Sequence, residues 1–271
     1  MTYPRRALLL DCDGVIVDAE TDGHLVAFNQ VWAEEGVAWR WDRERYRRAL
    51  AVFGGRERLA ALAQDPEFLA AVGPLTRFGD WPETVGRWHR RKREILVGLV
   101  LAGRLGPRPG IRRLVREAAA AGWAVAVVSS GAPSTVNAII GQVLGDLLPA
   151  DAVVITGDDV RAKKPSPECY LGAVERLGLR PEDCLAVEDS VHGLASAVAA
   201  GIGCLVTTTE LTAGGGFQAA AAVVDSLGDP AGPACRVAAG TIEPDDTGCV
   251  TLKHLVELMD ERAGATRLAR R

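Results

Sequence analysis

The sequence predicts an α/β protein, in which a parallel sheet with helices on both faces is interrupted after its first strand by a small helical domain. Three observations support this fold class. Helical and strand patterns alternate from residue 111 to residue 207. Residues 18–102 show helical spacing with little strand signal. The apolar run RALLLD at residues 6–11, which comes before that helical stretch, is predicted to be the first, buried strand.

The helical stretch is recognised by the spacing of its large apolar residues. Leu25, Phe28 and Trp32 recur at helical intervals, and Gly36 can end that helix. Five of the six tryptophans fall in this stretch, where we expect most of them to pack between helices. Further helices are predicted at 42–50, 55–63 and 80–101.

A turn at Pro107, Pro109 and Gly110 marks the return to the α/β pattern. Alternating helices and strands imply a parallel sheet, because each helix then connects two neighbouring strands. The predicted core is therefore formed by residues 1–17 and 103–271, and the inserted helical domain by residues 18–102. The predicted helices are 111–121, 134–144, 167–177, 190–200 and 251–262, the predicted strands are 123–129, 152–155, 184–188, 203–207 and an edge strand within 219–227, and 229–249 is predicted to be a loop.

Composition excludes several classes of protein. The chain has 271 residues and a formal net charge of −4, which gives no indication of a nucleic-acid partner. It contains no run of about 20 apolar residues that could span a bilayer, and the short apolar run near its start is not typical of a signal peptide. None of the six cysteines forms a CxxC pair, so free thiols in a reducing compartment are expected. We therefore expect a cytoplasmic monomer without a membrane partner.

The chemistry is expected where strands end, because ligands of such sheets bind beyond the carboxyl ends of the strands. The first strand ends in Asp11-Cys12-Asp13-Gly14. Two carboxylates two residues apart in an extended segment face the same side, and a divalent cation would relieve their repulsion. One could then act as nucleophile and metal ligand, and the other as proton donor and acceptor. The alternative is a pair of acidic turn residues before Gly14.

The next strand ends in Ser129-Ser130-Gly131, where a hydroxyl and backbone N–H groups could bind phosphate oxygens. The alternative is that a serine here, or Ser134, caps the following helix.

Two later motifs supply complementary charges. Lys164, in the sequence KKPSP, could neutralise a phosphate, or could be one of two solvated lysines before a helix capped by Ser166. Glu188 and Asp189 offer oxygen ligands suited to Mg²⁺, or Asp189 could cap the helix that follows. Ser190 is a further candidate for that cap. Each motif has a plain structural explanation, but together they supply a nucleophile, an acid/base, a phosphate clamp and a metal site.

In this combination the chain resembles the haloacid dehalogenase superfamily. The matching motifs are DCDGVIVD at 11–18, the apolar strand with Ser129, KKPSP with Lys164 and EDS at 188–190. The resemblance implies a Rossmann-like core, an inserted α-helical cap and Mg²⁺ as cofactor. It also implies that Asp11 becomes phosphorylated, that Asp13 is the acid/base and that Ser129 and Lys164 hold the transferring oxygens. Mg²⁺ would be bound by a carboxylate oxygen of Asp11, the backbone carbonyl of Asp13 and Asp189, with Glu188 either a ligand or a partner of the ligands.

The predicted cap resembles more closely the CbbY-type branch of this superfamily, which includes xylulose-1,5-bisphosphate phosphatases. The resemblance lies in residues 19–42 and in GGRERL at 54–59, where Arg56 replaces a more usual lysine. It implies that substrate is selected by residues of the cap. Glu20 and His24 could meet sugar hydroxyls, a second phosphate could bind the loop around Gly54, Gly55, Arg56 and Arg58, and Ser130 and Gly131 would join the phosphate site.

These observations predict a phosphatase that acts on a small sugar (bis)phosphate, with xylulose 1,5-bisphosphate favoured and xylulose 5-phosphate as product. One alternative is a phosphomutase of the β-phosphoglucomutase type, since it would share all four core motifs. The other is a protein that has kept the fold for binding without catalysis. We disfavour it because every core position carries a suitable residue.

Overall fold

The computed structural model describes residues 6–52 and 54–269, with side chains described up to residue 264. The described chain divides into two compact units. Residues up to Asp18 together with those from Gly106 onward form one unit, the core unit, and Ala19–Leu105 form the other, the helical unit. The assignment of these units as catalytic core and cap stays a prediction.

The strands all belong to the core unit and are mostly short. They form one seven-stranded sheet in the order β3-β2-β1-β4-β5-β6-β7. The strands are β1 (Ala7–Leu10), β2 (Ala124–Val128), β3 (Val153–Ile155), β4 (Cys184–Glu188), β5 (Gly203–Thr207), β6 (Ala222–Val224) and β7 (Val237–Ala239).

The helices are divided between the two units, with five in each. Shorter π and 3₁₀ turns accompany them, such as the π-helical turn Glu20–His24 that leads into the first helix. The α-helices are α1 (Leu25–Glu34), α2 (Arg43–Ala49), α3 (Gly55–Ala61), α4 (Pro66–Val72), α5 (Trp81–Leu101), α6 (Ile111–Ala120), α7 (Pro133–Ile139), α8 (Glu168–Leu177), α9 (Val191–Ala199) and α10 (Leu252–Ala269).

The sheet is parallel except at one edge, which confirms the predicted fold class. All neighbouring strands pair in parallel from β3 to β6, and only β7 pairs antiparallel, with β6. On one face α8 and α9 bury their apolar residues against the strands. Helix α6 contacts strand β2, helix α10 contacts strand β5, and the two helices contact each other. Because β1, β2, β4 and β5 are buried along their whole length, their residues are apolar except at the carboxyl ends of β4 and β5, which are Glu188 and Thr207.

The helical unit is held together by aromatic side chains. Trp32 and Trp88 are completely buried, and Trp39 and Trp41 are nearly so, which confirms the expected packing role of these four. Trp41 meets Trp32 edge to face with ring centroids 4.8 Å apart, and Phe28 at 5.1 Å. Such edge-to-face pairs add to the stabilisation from apolar burial.

Several elements differ from the sequence-based expectations. The segment between α3 and α5 contains α4 and the 3₁₀ turn Leu75–Phe78, neither of which was predicted. The predicted loop 229–249 contains β7, whose three residues are all exposed. The predicted helix 134–144 is an α-helix only to Ile139 and continues as a π-helical turn to Leu144.

Among the described residues, none of the helices has the length and apolar character that crossing a membrane requires. All six cysteines are buried as free thiols.

Candidate active site

The segment after β1 brings Asp11 to the carboxyl edge of the sheet. The backbone N–H of Asp11 donates to the carbonyl of Val187 at 3.0 Å, which continues the pairing of β1 with β4. Asp11 is 7 % exposed. Gly14 then turns the chain with φ = +85°, a conformation that favours glycine. A Cβ on Gly14 would lie 2.1 Å from Oδ2 of Asp189, so the Asp189 carboxylate packs directly against this turn.

The end of β4 places Glu188 beneath the first turn of α9. Glu188 is fully buried. A Cβ on Gly193 would lie only 1.9 Å from Oε2 of Glu188, so the absence of a side chain at Gly193 makes room for this carboxylate. Ser190 is the N-cap of α9, with its hydroxyl accepting from the Gly193 N–H at 3.1 Å. The alternative in which Asp189 caps this helix is therefore wrong, because Ser190 does so.

Lys164 lies between the two carboxylates and donates to both. Its ammonium group is 2.5 Å from Oδ1 of Asp11, 2.6 Å from Oε1 of Glu188 and 2.8 Å from the carbonyl of Val128. These three bonds use all three N–H groups of the ammonium. Lys164 is 4 % exposed, whereas Lys163 is exposed. The helix that follows begins at Glu168 with Pro167 as N-cap, and the Ser166 hydroxyl accepts from the Glu168 N–H at 3.4 Å. The alternative of two solvated lysines is wrong, because Lys164 is buried.

Tyr170 completes this cluster and was not recognised in the sequence. Its hydroxyl donates to Oε1 of Glu188 at 2.6 Å, and the Lys164 ammonium lies 5.1 Å from its ring centroid. Tyr170 is fully buried on α8. The position of Tyr170 in the sequence was a usable signal. A tyrosine near the start of the helix that follows Lys164 is placed to reach the same strand ends. A buried tyrosine normally needs a hydrogen-bond partner for its hydroxyl, and here that partner is Glu188.

In the segment after β2, the hydroxyls of two serines accept hydrogen bonds from backbone N–H groups. The hydroxyl of Ser129 accepts from the N–H of Gly131 at 3.0 Å, and the hydroxyl of Ser130 accepts from the N–H of Lys164 at 3.3 Å. Neither these serines nor Ser134 caps α7, which begins at Pro133 with Ala132 as N-cap and no side-chain cap. The helix-cap alternative is therefore wrong, because these hydroxyls bond within and across loops at the strand ends.

The carboxylates in this cluster fit a divalent cation. Asp11, Glu188 and Asp189 are all buried, and each offers an oxygen that lies within 4.8 Å of the other two. The ammonium of Lys164 pairs with two of these carboxylates, those of Asp11 and Glu188, so the cluster holds three acidic side chains and one basic side chain. Oxygen donors of this kind suit Mg²⁺. The residues therefore fit the ion that the sequence predicts, and Asp13 lies close enough to Asp11 to raise its pKa.

The pKa values reflect the same crowding. Burial raises the pKa of Asp11 well above that of an ordinary aspartate against the attraction of Lys164, and Glu188 raises it further. Burial acts in the opposite direction on Lys164, but Asp11 and Glu188 outweigh it and raise the pKa of this lysine. Lys164 is therefore charged at neutral pH, and a second cation would favour the ionised form of Asp11.

The helical unit contains a second buried polar cluster, which includes three of the predicted substrate residues, Glu20, His24 and Arg58. Glu20 pairs with Arg58 at 3.3 Å and accepts a hydrogen bond from the hydroxyl of Tyr46. His24 contacts the ammonium of Lys92, which is 3 % exposed. Tyr46 and Lys92 were not recognised in the sequence, because neither belongs to a motif.

The start of α3 carries the other predicted substrate residues of this unit. Gly54 is the N-cap of α3 with φ = +97°, and Gly55 is its first residue. Arg56 is exposed. Arg58 is buried instead, with its Nε donating to the carbonyl of Val52 at 2.9 Å. The expected basic loop is therefore wrong, because both arginines lie in α3, where Arg56 is exposed and Arg58 is buried.

Comparisons with known proteins give consistent matches. A family model described as haloacid dehalogenase-like hydrolase matches residues 5–201. The plasmid CbbY protein of Cupriavidus necator is 42 % identical over 231 residues, which cover 84 % of this chain and 88 % of that protein.

The chain is also similar to solved structures of such proteins. A CbbY variant from Rhodobacter sphaeroides, crystallised in complex with xylulose-(1,5)bisphosphate, is 34 % identical with a TM-score of 0.68, covering 83 % of this chain and 97 % of that one. A putative β-phosphoglucomutase from Thermotoga maritima is 26 % identical with a TM-score of 0.61, covering 81 % and 94 % of the two chains.

Proposed function

The chain belongs to the haloacid dehalogenase-like hydrolases, and from that premise we propose that it is a Mg²⁺-dependent phosphatase of a small phosphorylated sugar. The favoured substrate is xylulose 1,5-bisphosphate, with xylulose 5-phosphate as product. The observation that carries the proposal is the buried cluster of Asp11, Lys164, Glu188 and Asp189 at the carboxyl edge of the sheet. The substrate assignment is supported by the similarity to a CbbY structure that contains this bisphosphate.

The proposed reaction transfers the phosphoryl group twice. A carboxylate oxygen of Asp11 attacks phosphorus, the bond from phosphorus to the sugar oxygen breaks, and Asp13 gives a proton to the departing alkoxide. Asp13 then takes a proton from a water molecule, whose oxygen attacks the aspartyl-phosphate. The bond from phosphorus to Asp11 breaks, which releases inorganic phosphate and restores both side chains.

Positioning and charge neutralisation do most of the work in phosphoryl transfer. Bound Mg²⁺ would neutralise charge on the transferring oxygens, and Asp11, Asp13 and Asp189 are the residues proposed to hold it. Glu188 has its Oε1 occupied by Lys164 and Tyr170, so we assign it to holding Lys164 in place. Lys164, Ser129, Ser130 and the backbone of Gly131 are proposed to hold the phosphate.

The helical unit is proposed to bind the part of the substrate that does not react. Arg56, with the backbone of Gly54 and Gly55, would hold the second phosphate of a bisphosphate. Glu20 would accept hydrogen bonds from sugar hydroxyls, and His24 would form hydrogen bonds with them. Binding energy from such remote groups can be used to orient the reacting phosphate.

Phosphate release from a panel of sugar phosphates in the presence of Mg²⁺ tests this proposal. The panel should contain xylulose 1,5-bisphosphate, other sugar bisphosphates and their monophosphates, each with the Asp11→Asn variant as control. We expect release from the xylulose bisphosphate to be fastest and to require both Mg²⁺ and Asp11. Release from none of the compounds by folded protein, or equal release by the variant, would reject the proposal.

A phosphomutase is the second candidate, because a putative β-phosphoglucomutase is among the structural neighbours. It would use the same aspartyl-phosphate but return the phosphate to a sugar. Incubation with β-glucose 1-phosphate and a bisphosphate primer separates the two functions. Formation of glucose 6-phosphate without net phosphate release would favour the mutase.

A further inference from the structure

Arg108 binds three segments of the core unit, each of which follows a strand. One terminal nitrogen of its guanidinium donates to the carbonyl of Gly14 at 2.6 Å. The other donates to the carbonyls of Thr208 at 2.8 Å and Asp225 at 2.5 Å. These carbonyls follow β1, β5 and β6, whose carboxyl ends lie at one edge of the sheet because the strands are parallel. Arg108 therefore joins three segments along the edge that carries the proposed active site.

The backbone beside Arg108 holds the same turn from a second direction. The backbone N–H of Arg108 donates to the carbonyl of Ile16 at 2.9 Å, and Pro107 forms an isolated antiparallel bridge with Val17. Within the turn, the N–H of Gly14 donates to the carbonyl of Val17 at 2.7 Å. The turn is thus held at its start by the side chain of Arg108 and at its end by the backbone of the same segment.

This turn includes one of the proposed metal ligands. The N–H of Gly14 and the carbonyl of Asp13 belong to one planar peptide group, so a fixed N–H also fixes the direction of that carbonyl. Gly14 packs against the carboxylate of Asp189, where an added Cβ would lie 2.1 Å from Oδ2. Movement of Gly14 would therefore change both the direction of the Asp13 carbonyl and the space left for Asp189.

The charge of Arg108 and its hydrogen bonds have opposite expected effects on a bound cation. Burial lowers the pKa of Arg108, and the attraction of nearby carboxylates acts in the other direction, namely those of Asp18, Asp189 and Asp225. A positive charge near Asp189 repels a second cation, so the charge alone would weaken the binding of Mg²⁺. The hydrogen bonds hold the turn that positions the ligands, which would strengthen the binding of Mg²⁺.

We infer that Arg108 is a positioning residue, which holds the peptide between Asp13 and Gly14 so that the Asp13 carbonyl and the Asp189 carboxylate can bind one Mg²⁺. This inference rests on the proposed function and deepens it, because it names the group that orients two of the proposed metal ligands. Groups that orient metal ligands commonly change the metal affinity by about 10-fold to 100-fold when they are removed.

The dissociation constant for Mg²⁺ in the Arg108→Gln variant tests the inference. It is obtained from the dependence of Tm on Mg²⁺ concentration after treatment with EDTA, because an ion that binds the folded protein raises its Tm. We expect the variant to bind Mg²⁺ about tenfold more weakly than the wild type. If Arg108 acted through its charge alone, its removal would strengthen the binding, so the direction of the change separates the two effects.

A catalytic measurement accompanies the binding measurement. The Mg²⁺ concentration that gives half-maximal phosphate release from p-nitrophenyl phosphate should rise by the same factor in Arg108→Gln. Arg108→Lys keeps the charge but lacks the planar fork that reaches three carbonyls, so it should recover only part of the affinity.

The matched control is Arg113→Gln, which removes another arginine of the core unit that binds three carbonyls. One terminal nitrogen of Arg113 donates to the carbonyls of Leu227 at 2.9 Å, Gly228 at 3.2 Å and Val250 at 2.9 Å. These bonds do not involve the turn at Gly14. Arg113→Gln should therefore lower the Tm without Mg²⁺ but keep the dissociation constant within about twofold of the wild type.

Two results would overturn the inference. One is a dissociation constant for Arg108→Gln that is lower than that of the wild type or within about twofold of it, and the other is an equal rise in Arg113→Gln. Should Arg108→Gln fail to fold, Arg108→Lys decides the matter, with a rise of about threefold or more expected and an unchanged constant contradicting it. A wild type whose Tm does not respond to Mg²⁺ would reject the proposed function as well, whereas a responsive wild type with an unchanged variant rejects this inference alone.

Discussion

Two buried clusters in this protein hold charged side chains beside groups of opposite charge. Lys164 lies between Asp11 and Glu188 in the core unit, and Arg58 bonds Glu20 in the helical unit. Removing one member of such a group is expected to cost more than removing a surface pair, because the remaining charge stays buried without compensation. Single substitutions in the two clusters should therefore affect both stability and chemistry.

Tyr170→Phe tests the support given to Glu188. The substitution keeps the ring but removes the hydroxyl that donates to Oε1 of Glu188 at 2.6 Å. A buried carboxylate then loses one of its donors, so we expect the free energy of unfolding to fall by about 1–3 kcal/mol in denaturant titrations. An unchanged free energy of unfolding would show that this hydrogen bond does not stabilise the cluster.

His89 gives a prediction for the pH dependence of stability. Burial, with Lys92 and Arg93 nearby, lowers the pKa of His89 to about 4. Between that value and its ordinary pKa of about 6.5, the unfolded chain binds this proton and the folded chain does not, so stability falls as pH is lowered through this range.

His89→Gln should therefore lose less stability than the wild type between about pH 7 and pH 5. We expect a difference of about 1 kcal/mol, less than the full linkage value because the imidazole is partly exposed. Urea unfolding at the two pH values measures it, with His192→Gln as control for loss of an imidazole elsewhere. Equal losses in wild type and His89→Gln would contradict the assignment.

The sequence predicts single residues well only where a motif surrounds them. Asp11, Lys164 and Asp189 follow from strand ends that each carry a recognisable pattern, and the structure brings them together. The use of Arg58 was not predictable, because its partners Glu20 and Tyr46 are 38 and 12 residues away in the chain. Only the folded helical unit shows that its guanidinium points inward.

Close approach between elements depends on glycine at defined places in the helices. Gly193 in α9 lies against the carboxylate of Glu188, and a Cβ there would overlap it. Gly98 in α5 is exposed and has no neighbour within 4 Å of such a Cβ. Both glycines are helical, but an added methyl group would overlap Glu188 at Gly193 and would have free space at Gly98.

Gly193→Ala and Gly98→Ala form a matched pair of substitutions. The first should displace Glu188 and with it Lys164, and we expect kcat/KM for phosphate release to fall by about 100-fold, as a displacement near 1 Å can cost. The second should leave kcat/KM unchanged and raise the free energy of unfolding by about 0.5–1 kcal/mol, because alanine favours the helix. A Gly193→Ala enzyme as active as the wild type would show that Glu188 is not held as described.

Elements with a strong pattern were predicted with their correct bounds, and weak ones were not. Strands β4 and β5 are apolar up to their last residue and follow helical segments, and both match the predicted ranges. Strand β7 has three exposed residues within a segment rich in glycine and proline, so it carries no apolar signal. Helix α4 is only seven residues long, and its start signal, Asp65 followed by Pro66, was not recognised.

At the scale of the whole molecule, the binding of Mg²⁺ should contribute to stability. An ion that binds only the folded protein stabilises it by about 2.7 kcal/mol at one hundred times its dissociation constant. We therefore expect the Tm to rise on addition of Mg²⁺ to protein treated with EDTA. Asp189→Asn should abolish the rise, whereas Asp146→Asn, which changes an exposed carboxylate of the same unit, should retain it. A Tm that is independent of Mg²⁺ in the wild type would contradict the proposed metal site.

The fold as a whole was predictable from the sequence because helix and strand patterns alternate over a long stretch. The parallel order of β3 to β6 follows from that alternation, and the carboxyl ends of β1, β2 and β4 then fall at one edge. Interactions inside the helical unit were less predictable, since aromatic and charged residues at helical spacing are compatible with many packings. The substrate-binding role proposed for that unit is therefore the part of the function that sequence patterns specify least.

The central claim is that Asp11 receives the phosphoryl group. A single turnover of xylulose 1,5-bisphosphate with Mg²⁺, stopped by acid and analysed by peptide mass spectrometry, tests it directly. The account predicts that the peptide containing Asp11 gains the mass of one phosphoryl group, that hydroxylamine removes it and that Asp11→Asn shows no gain. Turnover with no phosphorylated peptide at any quench time, or with the group on another residue, would contradict the account.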